Sequence, residues 1–342
     1  MQLSCCDYTD YLVTPTKSSP KNRSTQSRAK ASRPTQSLAK PWSLKKVNGL
    51  RILELAPFAK LPWLVHGFST REGGSSPLDG ENVLNLSFTD WDTRENAEKN
   101  RATFQSAVGG KSLRMAPLKQ VHSDVIQIFH ATPDSASTGD ASATARSGLL
   151  LAIQTADCVP ILLVDPRKRA VAAIHAGWRG TLARITQKAV GALHREFSSR
   201  PADLLAAIGP SIGPCCYEVG AELVTQFTSQ FADAPDYFDE PRTGDEPNPL
   251  QWLNMRPPGH QPPPKPVHLD LRKANQSQLL AAGLRKENIF TTELCTACRR
   301  DLFFSYRKEG PRSGRLLSVI GILPKKSACE HKPTLRHRGS EL

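Results

Sequence analysis

The sequence lacks the long apolar runs that mark membrane and secreted proteins. No stretch of about 18 apolar residues occurs in the 342 residues, so we expect no transmembrane helix. The start of the chain also lacks the apolar segment of a secretory signal, although residues 11–46 are rich in Ser, Thr, Lys and Arg, as organellar transit peptides are. Because no amphipathic pattern accompanies that composition, we expect a disordered arm on a cytoplasmic protein, with organellar targeting as the alternative.

Aromatic and apolar residues are scarce, at 6% and 39% of the chain. The net charge of +13 is concentrated at the two ends, and residues 47–324 carry only +3 of it. A nucleic-acid-binding domain would carry its positive charge on the folded face, and residues 1–46 offer few aromatic rings to stack on bases. Nucleic-acid binding is therefore the weakest function considered, and we expect residues 1–46 and 325–342 to be disordered.

The eight cysteines do not form the pattern of a disulfide-rich secreted protein, which would be much shorter. A reducing compartment therefore fits the chain better. Cys295-Thr-Ala-Cys298 is a lone CxxC motif. A structural zinc site needs a second half, and the adjacent pair Cys215-Cys216 does not have the usual spacing. We expect Cys295 and Cys298 to be packing residues, with a redox or metal role as the alternative.

Several common catalytic signatures are absent as well. The sequence contains no GxGxxG, GxSxG or HExxH motif. Residues 109–112 read Gly-Gly-Lys-Ser, like the end of a phosphate-binding P-loop, but Gln105 occupies the position of the required first glycine. These absences exclude the usual dinucleotide, triphosphate, serine-hydrolase and metalloprotease sites as sequence-based hypotheses.

Short apolar runs and helical patterns alternate through residues 47–324, which predicts one α/β domain of the mixed α+β type, with a mixed sheet and flanking helices. The predicted strands are Leu149–Thr155, Val159–Asp165, Ala170–His175, Leu204–Ile208, Asn288–Thr292, Phe303–Arg307 and Leu316–Leu323, with the last two forming a hairpin. The predicted helices are Thr181–Phe197, Val219–Phe231 and a helix from Asp270 to Leu284. Residues 131–147 and the Pro-rich residues 232–266 are predicted to be loops.

Three segments place metal-competent side chains at predicted strand ends, where functional loops gather. They are Gln120-Val-His122, Ala156-Asp157-Cys158 and His175-Ala-Gly177-Trp-Arg179. His122, Cys158 and His175 together would suit Zn²⁺, with a fourth position left for water or substrate. The alternative is two hydrogen-bonded histidines and a buried thiol.

Other polar residues near these segments suggest supporting roles. Asp157 or Asp124 is predicted to orient a ligand imidazole. Arg179 is a candidate to grip a phosphate, with a structural ion pair as the alternative. Upstream, Arg71 lies in a Gly-flanked loop, and Asn85 follows a turn and is a candidate to hydrogen-bond a ligand.

Taken together, these segments resemble the laccase-domain family, whose members were once described as multicopper polyphenol oxidases and later as purine nucleoside phosphorylases. The matching pieces run in family order through residues 50–324. They read GFSTREGG (67–74), NLS (85–87), QVH (120–122), TADCVP (155–160), HAGWRG (175–180), IGPSIGPCCYEVG (208–220), LCT (294–296) and FFSYR (303–307). One departure is Ser123, because a glycine usually follows QVH in the family, and we expect its side chain to narrow the pocket mouth.

The resemblance implies a metal site formed by His122, Cys158 and His175, with Zn²⁺ as the expected ion and Cu²⁺ as the alternative. It also implies phosphorolysis of adenosine, inosine and S-methyl-5′-thioadenosine, and deamination of adenosine to inosine. Purine nucleosides and phosphate are then the expected small-molecule partners, with Arg71, Asn85, Gln120 and Arg179 as candidate substrate-binding residues. No feature of the sequence favours a particular oligomeric state.

The older description of the family implies a second function, copper-dependent phenol oxidation. True multicopper centres use many histidines, commonly in His-x-His pairs. This chain has nine histidines and no such pair. A single site with two histidines and one cysteine is still able to bind copper, so phenol oxidation remains the alternative to nucleoside chemistry.

Overall fold

A computed structural model describes residue 38 and residues 40–239 and 266–325. The remainder of the predicted arm and tail, together with residues 240–265 of the predicted Pro-rich loop, lies outside the described residues. The described strands are β1 (Trp42–Val47), β2 (Leu50–Leu55), β3 (Leu64–Ser69), β4 (Glu72–Leu78), β5 (Glu81–Val83), β6 (Arg114–Lys119), β7 (Ile126–Ile128), β8 (Ser137–Thr138), β9 (Ala141–Thr144), β10 (Leu149–Thr155), β11 (Val159–Asp165), β12 (Ala170–Ala176), β13 (Leu205–Ile208), β14 (Glu218–Val219), β15 (Phe238–Asp239), β16 (Val267–Leu269), β17 (Ile289–Thr291) and β18 (Leu316–Ile322).

The described α-helices are α1 (Ala56–Ala59), α2 (Arg94–Ala107), α3 (Trp178–Leu182), α4 (Ile185–Phe197), α5 (Ala221–Gln230), α6 (Leu271–Ala281) and α7 (Tyr306–Glu309). None of them has the length and apolar character needed to cross a bilayer.

Two large mixed sheets form the centre of the fold. The first has the order β1-β2-β3-β18-β10-β6-β8, and the second has the order β17-β13-β11-β12-β9-β7. In the first sheet β10 pairs antiparallel with β18 and parallel with β6. The chain therefore passes from one sheet to the other in the short turn between β10 and β11. This mixed α/β architecture confirms the predicted fold class.

The two sheets pack face to face, with helices on the outer side of the second sheet. Along β11, Leu162 and Val164 join the core between the sheets, whereas Ile161 and Leu163 join the core beneath α4 and α6. Both faces of β11 and β12 are thus buried, which is why these strands are continuous apolar runs instead of alternating patterns. The outer face of the first sheet packs on Phe104 of α2.

Several predicted elements have the bounds that the apolar runs gave, notably β10 and β11. Asp270 caps α6 as predicted, because its carboxylate accepts hydrogen bonds from the backbone N–H groups of Arg272 and Lys273. The single helix predicted over Thr181–Phe197 is instead two helices, α3 and α4. The break falls at Arg184, which has a left-handed φ of +63° and whose guanidinium stacks on Phe231 at 4.4 Å.

Two predictions about strands and loops were wrong. The predicted hairpin of residues 303–307 with β18 does not form, because residues 306–309 are helical and β18 pairs with β10 and β3. The predicted loop 131–147 contains β9, which is fully buried and pairs with β12. Its Ala, Ser and Thr residues have a loop-like composition, but their small side chains fit a crowded sheet.

The first residues of the predicted Pro-rich loop are also ordered, with Ala234 and Tyr237 in the core.

The predicted end of the arm at residue 46 falls inside β1, so the folded part extends further towards the N-terminus than expected. Trp42 is only 6% exposed and packs edge-on against Phe68, with ring centroids 5.5 Å apart. A chain that began near Lys46 would lose this contact and most of β1. The expectation that the whole of residues 1–46 is disordered is therefore wrong for residues 42–46.

We expect Trp42→Ala to lower the free energy of unfolding by about 3–5 kcal/mol, as truncation of a large buried aromatic side chain does. Urea unfolding followed by circular dichroism measures the change. Lys46→Ala is the matched control in the same strand, since Lys46 is exposed, and it should change stability by less than about 0.5 kcal/mol. Equal stability of the two variants would contradict the placement of β1 in the core.

Candidate metal centre

Three metal-competent side chains converge at one end of the two sheets. His122 lies in the loop after β6, Cys158 in the turn between β10 and β11, and His175 near the end of β12. One donor atom from each lies within 4.8 Å of the other two. The Cys158 Sγ is 3.9 Å from the His122 Nε2, and the two imidazole centroids are 4.9 Å apart. The fold thus brings together the three residues singled out in the sequence.

The turn that carries Cys158 is fixed by hydrogen bonds to distant loops. Asp157 has a left-handed φ of +89° and is buried. Its carboxylate accepts hydrogen bonds from the Thr296 hydroxyl (2.6 Å) and from the Arg307 N–H (2.7 Å). Its carbonyl accepts another from the Ile212 N–H. These bonds hold the strained turn in place, and they show that Asp157 does not orient an imidazole as predicted.

One buried carboxylate, Asp140, holds both histidine segments. Its Oδ1 accepts a hydrogen bond from the Nδ1 of His175 at 2.8 Å. The backbone N–H groups of Val121, His122 and Ser123 donate to the same carboxylate at 3.2, 3.0 and 2.6 Å. His122 has a left-handed φ of +59°, a backbone conformation that residues other than glycine rarely adopt. The hydrogen bonds to Asp140 compensate for the strain of that conformation. Because Asp140 occupies the Nδ1 of His175, the Nε2 is the nitrogen left for a metal.

No sequence pattern pointed to Asp140, which lies in a segment predicted to be a loop. Asp124, the other predicted orienting residue, instead forms a surface ion pair with Lys188. The hydroxyl of Ser123, the residue that departs from the family pattern, donates a hydrogen bond to Asp140 at 2.7 Å. Asp140 lies beside His175 because β9 pairs with β12. The two residues are 35 positions apart in the sequence. Asp140 can be predicted from the sequence only if β9 is first predicted to be a strand.

The charges of the centre favour a thiolate at Cys158 beside a protonated His175. Burial lowers the pKa of His175, but the charge of Cys158 and the hydrogen bond with Asp140 outweigh it and raise the pKa to about 9, so a metal has to displace a proton from this imidazole. Burial raises the pKa of the Cys158 thiol, but the charge of His175 and a hydrogen bond with His122 outweigh it and lower the pKa to about 6. Burial also raises the pKa of Asp140, but hydrogen bonds from His175 and Ser123 outweigh it and lower the pKa to about 2. Cys158 therefore tends to be a thiolate, the form that coordinates metals.

The comparisons with known proteins agree with this geometry. Residues 65–323 match the family model described as multi-copper polyphenol oxidoreductase laccase. The chain belongs to this family. A purine nucleoside phosphorylase from Deinococcus radiodurans is 37% identical over 276 residues, covering 80% of this chain and 94% of that protein. Adenosine deaminase RL5, from an unknown prokaryotic organism, is 33% identical over 281 residues, covering 78% and 98% of the two chains.

A solved structure extends the comparison to three dimensions. The crystal structure of YlmD from Geobacillus stearothermophilus has a TM-score of 0.66 and 32% sequence identity, covering 83% of this chain and all of that one. The family resemblance predicted from the motifs is therefore confirmed. YlmD and this laccase-family chain share a fold as well as a sequence pattern.

The donor set of this laccase-family chain fits one metal ion. Two imidazoles and a thiolate are ligands that suit Zn²⁺, and three protein ligands leave a coordination position open for water or substrate. The same three donors are also able to bind a single copper ion. Among the described residues, this is the only cluster of potential ligands that contains histidine.

The predicted substrate-binding residues have different surroundings. Arg179 is exposed in α3, two residues after Gly177, and its guanidinium stacks on Trp178 at 4.3 Å. Gln120 binds the backbone of Gln154 through both its amide oxygen and its amide nitrogen, and so fastens the His122 loop to β10. Of the four candidates, Arg179 is the exposed cation beside the metal centre.

The structure does not bring Asn85 and Arg71 to the three donors. Asn85 is fully buried, and its side chain is occupied by neighbours that include Asp92 and the Arg315 backbone, so its ligand-binding role is wrong. Arg71 forms a partly buried ion pair with Glu309 at 2.6 Å and stacks on Phe304. It lines a cavity of about 500 Å³ whose lining residues include none of the three donors.

Because Gly177 has no side chain, it leaves room for the side chains of His122 and Cys158. A Cβ atom at this position would lie 3.0 Å from the His122 Cδ2 and 3.1 Å from the Cys158 Sγ. We expect Gly177→Ala to push these two side chains apart and to weaken metal binding by between roughly tenfold and a hundredfold. Competition with a chromogenic chelator measures the affinity.

Gly191→Ala is the matched control for Gly177→Ala. Gly191 lies in α4, and a Cβ there meets no atom within 4 Å. This substitution should leave metal affinity unchanged and stabilise the helix by about 0.5–1 kcal/mol. An unchanged affinity in Gly177→Ala would show that the side chains of His122 and Cys158 do not hold the ion together.

Proposed function

We propose that this chain is a metal-dependent purine nucleoside enzyme whose ion is held by His122, Cys158 and His175. Its reactions are phosphorolysis of adenosine, inosine and S-methyl-5′-thioadenosine and deamination of adenosine, and its ion is Zn²⁺. The observation that carries the proposal is the convergence of the three donors, with both histidine segments held by the carboxylate of Asp140. The names of the relatives, purine nucleoside phosphorylase and adenosine deaminase, supply the substrate class.

The two reactions place different demands on the site. In phosphorolysis, a phosphate oxygen forms a bond to C1′ of the sugar as the bond from C1′ to the purine nitrogen breaks, and the departing base takes up a proton. In deamination, water adds at C6 of adenine and ammonia leaves. When bound, Zn²⁺ would act as a Lewis acid and make water a nucleophile near neutral pH.

The residues of the chain supply orientation and charge. Asp140 orients the His175 imidazole through its Nδ1, and the same carboxylate binds the backbone of the His122 loop and holds that loop in place. Arg179 is the cation proposed to hold the phosphate. It lies two residues after Gly177, and a guanidinium binds phosphate oxygens through paired N–H groups. Arg71 is a less suitable phosphate ligand because it lines a cavity that includes none of the three donors.

Product analysis of adenosine incubations tests the proposal. Chromatography should detect adenine and ribose 1-phosphate only when phosphate is present, and inosine and ammonia with or without it. Phenol oxidation, the alternative suggested by the family description, is measured on the same preparation. Oxidation of phenols without any nucleoside turnover would favour copper chemistry and overturn the proposal.

We expect Arg179→Ala to raise the KM for phosphate by roughly tenfold or more, because a hydrogen bond between charged groups contributes about 1.5–3 kcal/mol. Initial rates of phosphorolysis at varied phosphate concentration measure this. The KM for adenosine in deamination is the internal reference, since that reaction uses no phosphate. Arg167→Ala, at an exposed arginine near Asp203, is the control. An equal rise in both variants would remove Arg179 from the phosphate site.

A further inference from the structure

Four cysteine side chains meet in a second cluster that the three-donor centre does not use. Cys215 and Cys216 lie in the loop between β13 and β14, and Cys295 and Cys298 follow β17. All four sulfur atoms lie within 4.8 Å of one another. The sequence spacing argued against such a cluster, and packing was the expected role of Cys295 and Cys298, with a redox or metal role as the alternative. The fold supplies the missing half of the site from residues about 80 positions away.

The distances within the four-cysteine cluster fit a single tetrahedral ion. With a Zn–S distance of about 2.3 Å, the sulfur atoms of a tetrahedral zinc site lie about 3.8 Å apart. The Cys298 Sγ is 3.5 Å from the Cys215 Sγ and 3.4 Å from the Cys216 Sγ. Bonded sulfurs would be about 2.05 Å apart, and all four cysteines are free thiols. The arrangement is a cage of four sulfurs and not a pair of disulfides.

The backbone around the cluster favours negatively charged sulfur. The Sγ of the buried Cys295 accepts a hydrogen bond from the Gly213 N–H at 3.2 Å. The N–H groups of Ala297 and Cys298, two and three residues further along, also donate to it. Such N–H···S bonds stabilise a thiolate and orient it towards a metal.

A buried cation lies beside the same loop. Arg272 is 8% exposed, and its guanidinium donates to the Thr292 carbonyl at 2.9 Å. A guanidinium nitrogen and the Cys215 Sγ lie 2.7 and 3.4 Å from the point that a Cβ of Gly213 would occupy. Four thiolates around a divalent ion leave a net negative charge, and a buried arginine at this position offsets part of it.

We propose that Cys215, Cys216, Cys295 and Cys298 bind one structural Zn²⁺. Four protein ligands leave no open position, which is the arrangement of structural zinc and not of catalytic zinc. The ion would fasten the loop after β13 to the loop after β17. The hydroxyl of Thr296, which lies between Cys295 and Cys298 in the sequence, donates to Asp157, the residue before Cys158. The four-cysteine zinc site thereby positions the Cys158 turn. The existence of this zinc site does not depend on the reaction proposed above.

Metal analysis of the full chain tests the four-cysteine site. The purified protein should contain two Zn²⁺ per chain. Cys298→Ser and Cys215→Ser should each lower this to one, and Cys158→Ala should also lower it to one by emptying the other centre. Cys298→Ser combined with Cys158→Ala should bind none. Cys329→Ser, which removes a thiol outside the described residues, is the control and should keep both ions.

Cobalt spectroscopy separates loss of a ligand from loss of the fold. Co²⁺ bound to the Cys158→Ala chain should show strong thiolate-to-metal charge-transfer absorption, because only the four-cysteine site then offers thiolates. The absorption should be lost when Cys215 is also replaced by serine, because that chain should then hold no metal at either site. Absence of charge transfer in Cys158→Ala, a disulfide among the four cysteines, or iron in place of zinc would each overturn the proposal.

Discussion

Cys158→Ala is expected to lower turnover of adenosine and inosine by at least ~10²–10³-fold, the range typical of losing a main electrostatic catalyst. The substitution removes the only thiolate of the three-donor centre and leaves two imidazoles. With one of three ligands gone, the affinity for Zn²⁺ falls, and with it the Lewis acid. Steady-state rates and the zinc content of the same preparation measure both effects. A Cys158→Ala enzyme with full zinc and full rate would contradict the proposed centre.

The two histidines provide an internal check on this result. His122→Ala and His175→Ala should lower turnover to a similar extent, because the three ligands act as one unit. For the same reason, double substitutions should lower turnover little further than single ones. Additive losses would mean that the side chains act separately. The two imidazoles and the thiol would then need a structural explanation in place of a shared metal.

Asp140→Asn is expected to weaken metal binding or activity by roughly tenfold to a hundredfold, as loss of a carboxylate that orients a histidine ligand commonly does. The carboxylate accepts hydrogen bonds from the His175 ring, from three backbone N–H groups and from the Ser123 hydroxyl. An asparagine would turn an NH₂ group towards some of these donors. Zinc affinity by chelator competition and the rate of phosphorolysis are the two measurements.

Asp124→Asn is the matched control for Asp140→Asn. Asp124 lies in the same loop as His122, but its carboxylate is paired at the surface with Lys188. Exposed ion pairs contribute little, about 0–1 kcal/mol, so this variant should keep its zinc and its rate. If Asp124→Asn lost as much zinc as Asp140→Asn, general disturbance of the loop would explain both, and the orienting role of Asp140 would be wrong.

The central strands could be predicted from the sequence because both of their faces are buried. Leu149–Thr155 and Val159–Asp165 are apolar without interruption, and such runs of strand length between turn residues have few other interpretations. Cys158 and His175 could be predicted as well, since Cys158 follows the run Leu149–Thr155 and His175 ends the run Ala170–His175. Strand ends that share one edge of a fold bring their loops together.

Other features depend on contacts that local patterns do not carry. β9 is built from alanine, serine and threonine, and it is a strand only because β7 and β12 pair with it. Asp140 was missed for that reason. Residues 303–307 have the apolar residues of a strand, but the Asp157 carboxylate accepts the Arg307 N–H and the chain turns into α7. The four-cysteine cluster likewise requires two loops that meet only in the folded protein.

Removal and replacement of the metal in the full-length protein tests the central claim most directly. The protein is treated with a chelator, divided, and supplied with Zn²⁺, Cu²⁺ or buffer, and its products from adenosine and phosphate are analysed. We expect adenine and ribose 1-phosphate to disappear after chelation and to return with Zn²⁺ in the wild type but not in Cys158→Ala. Unchanged nucleoside turnover after complete removal of metal, or the same recovery in Cys158→Ala, would contradict a metal-dependent nucleoside centre at His122, Cys158 and His175.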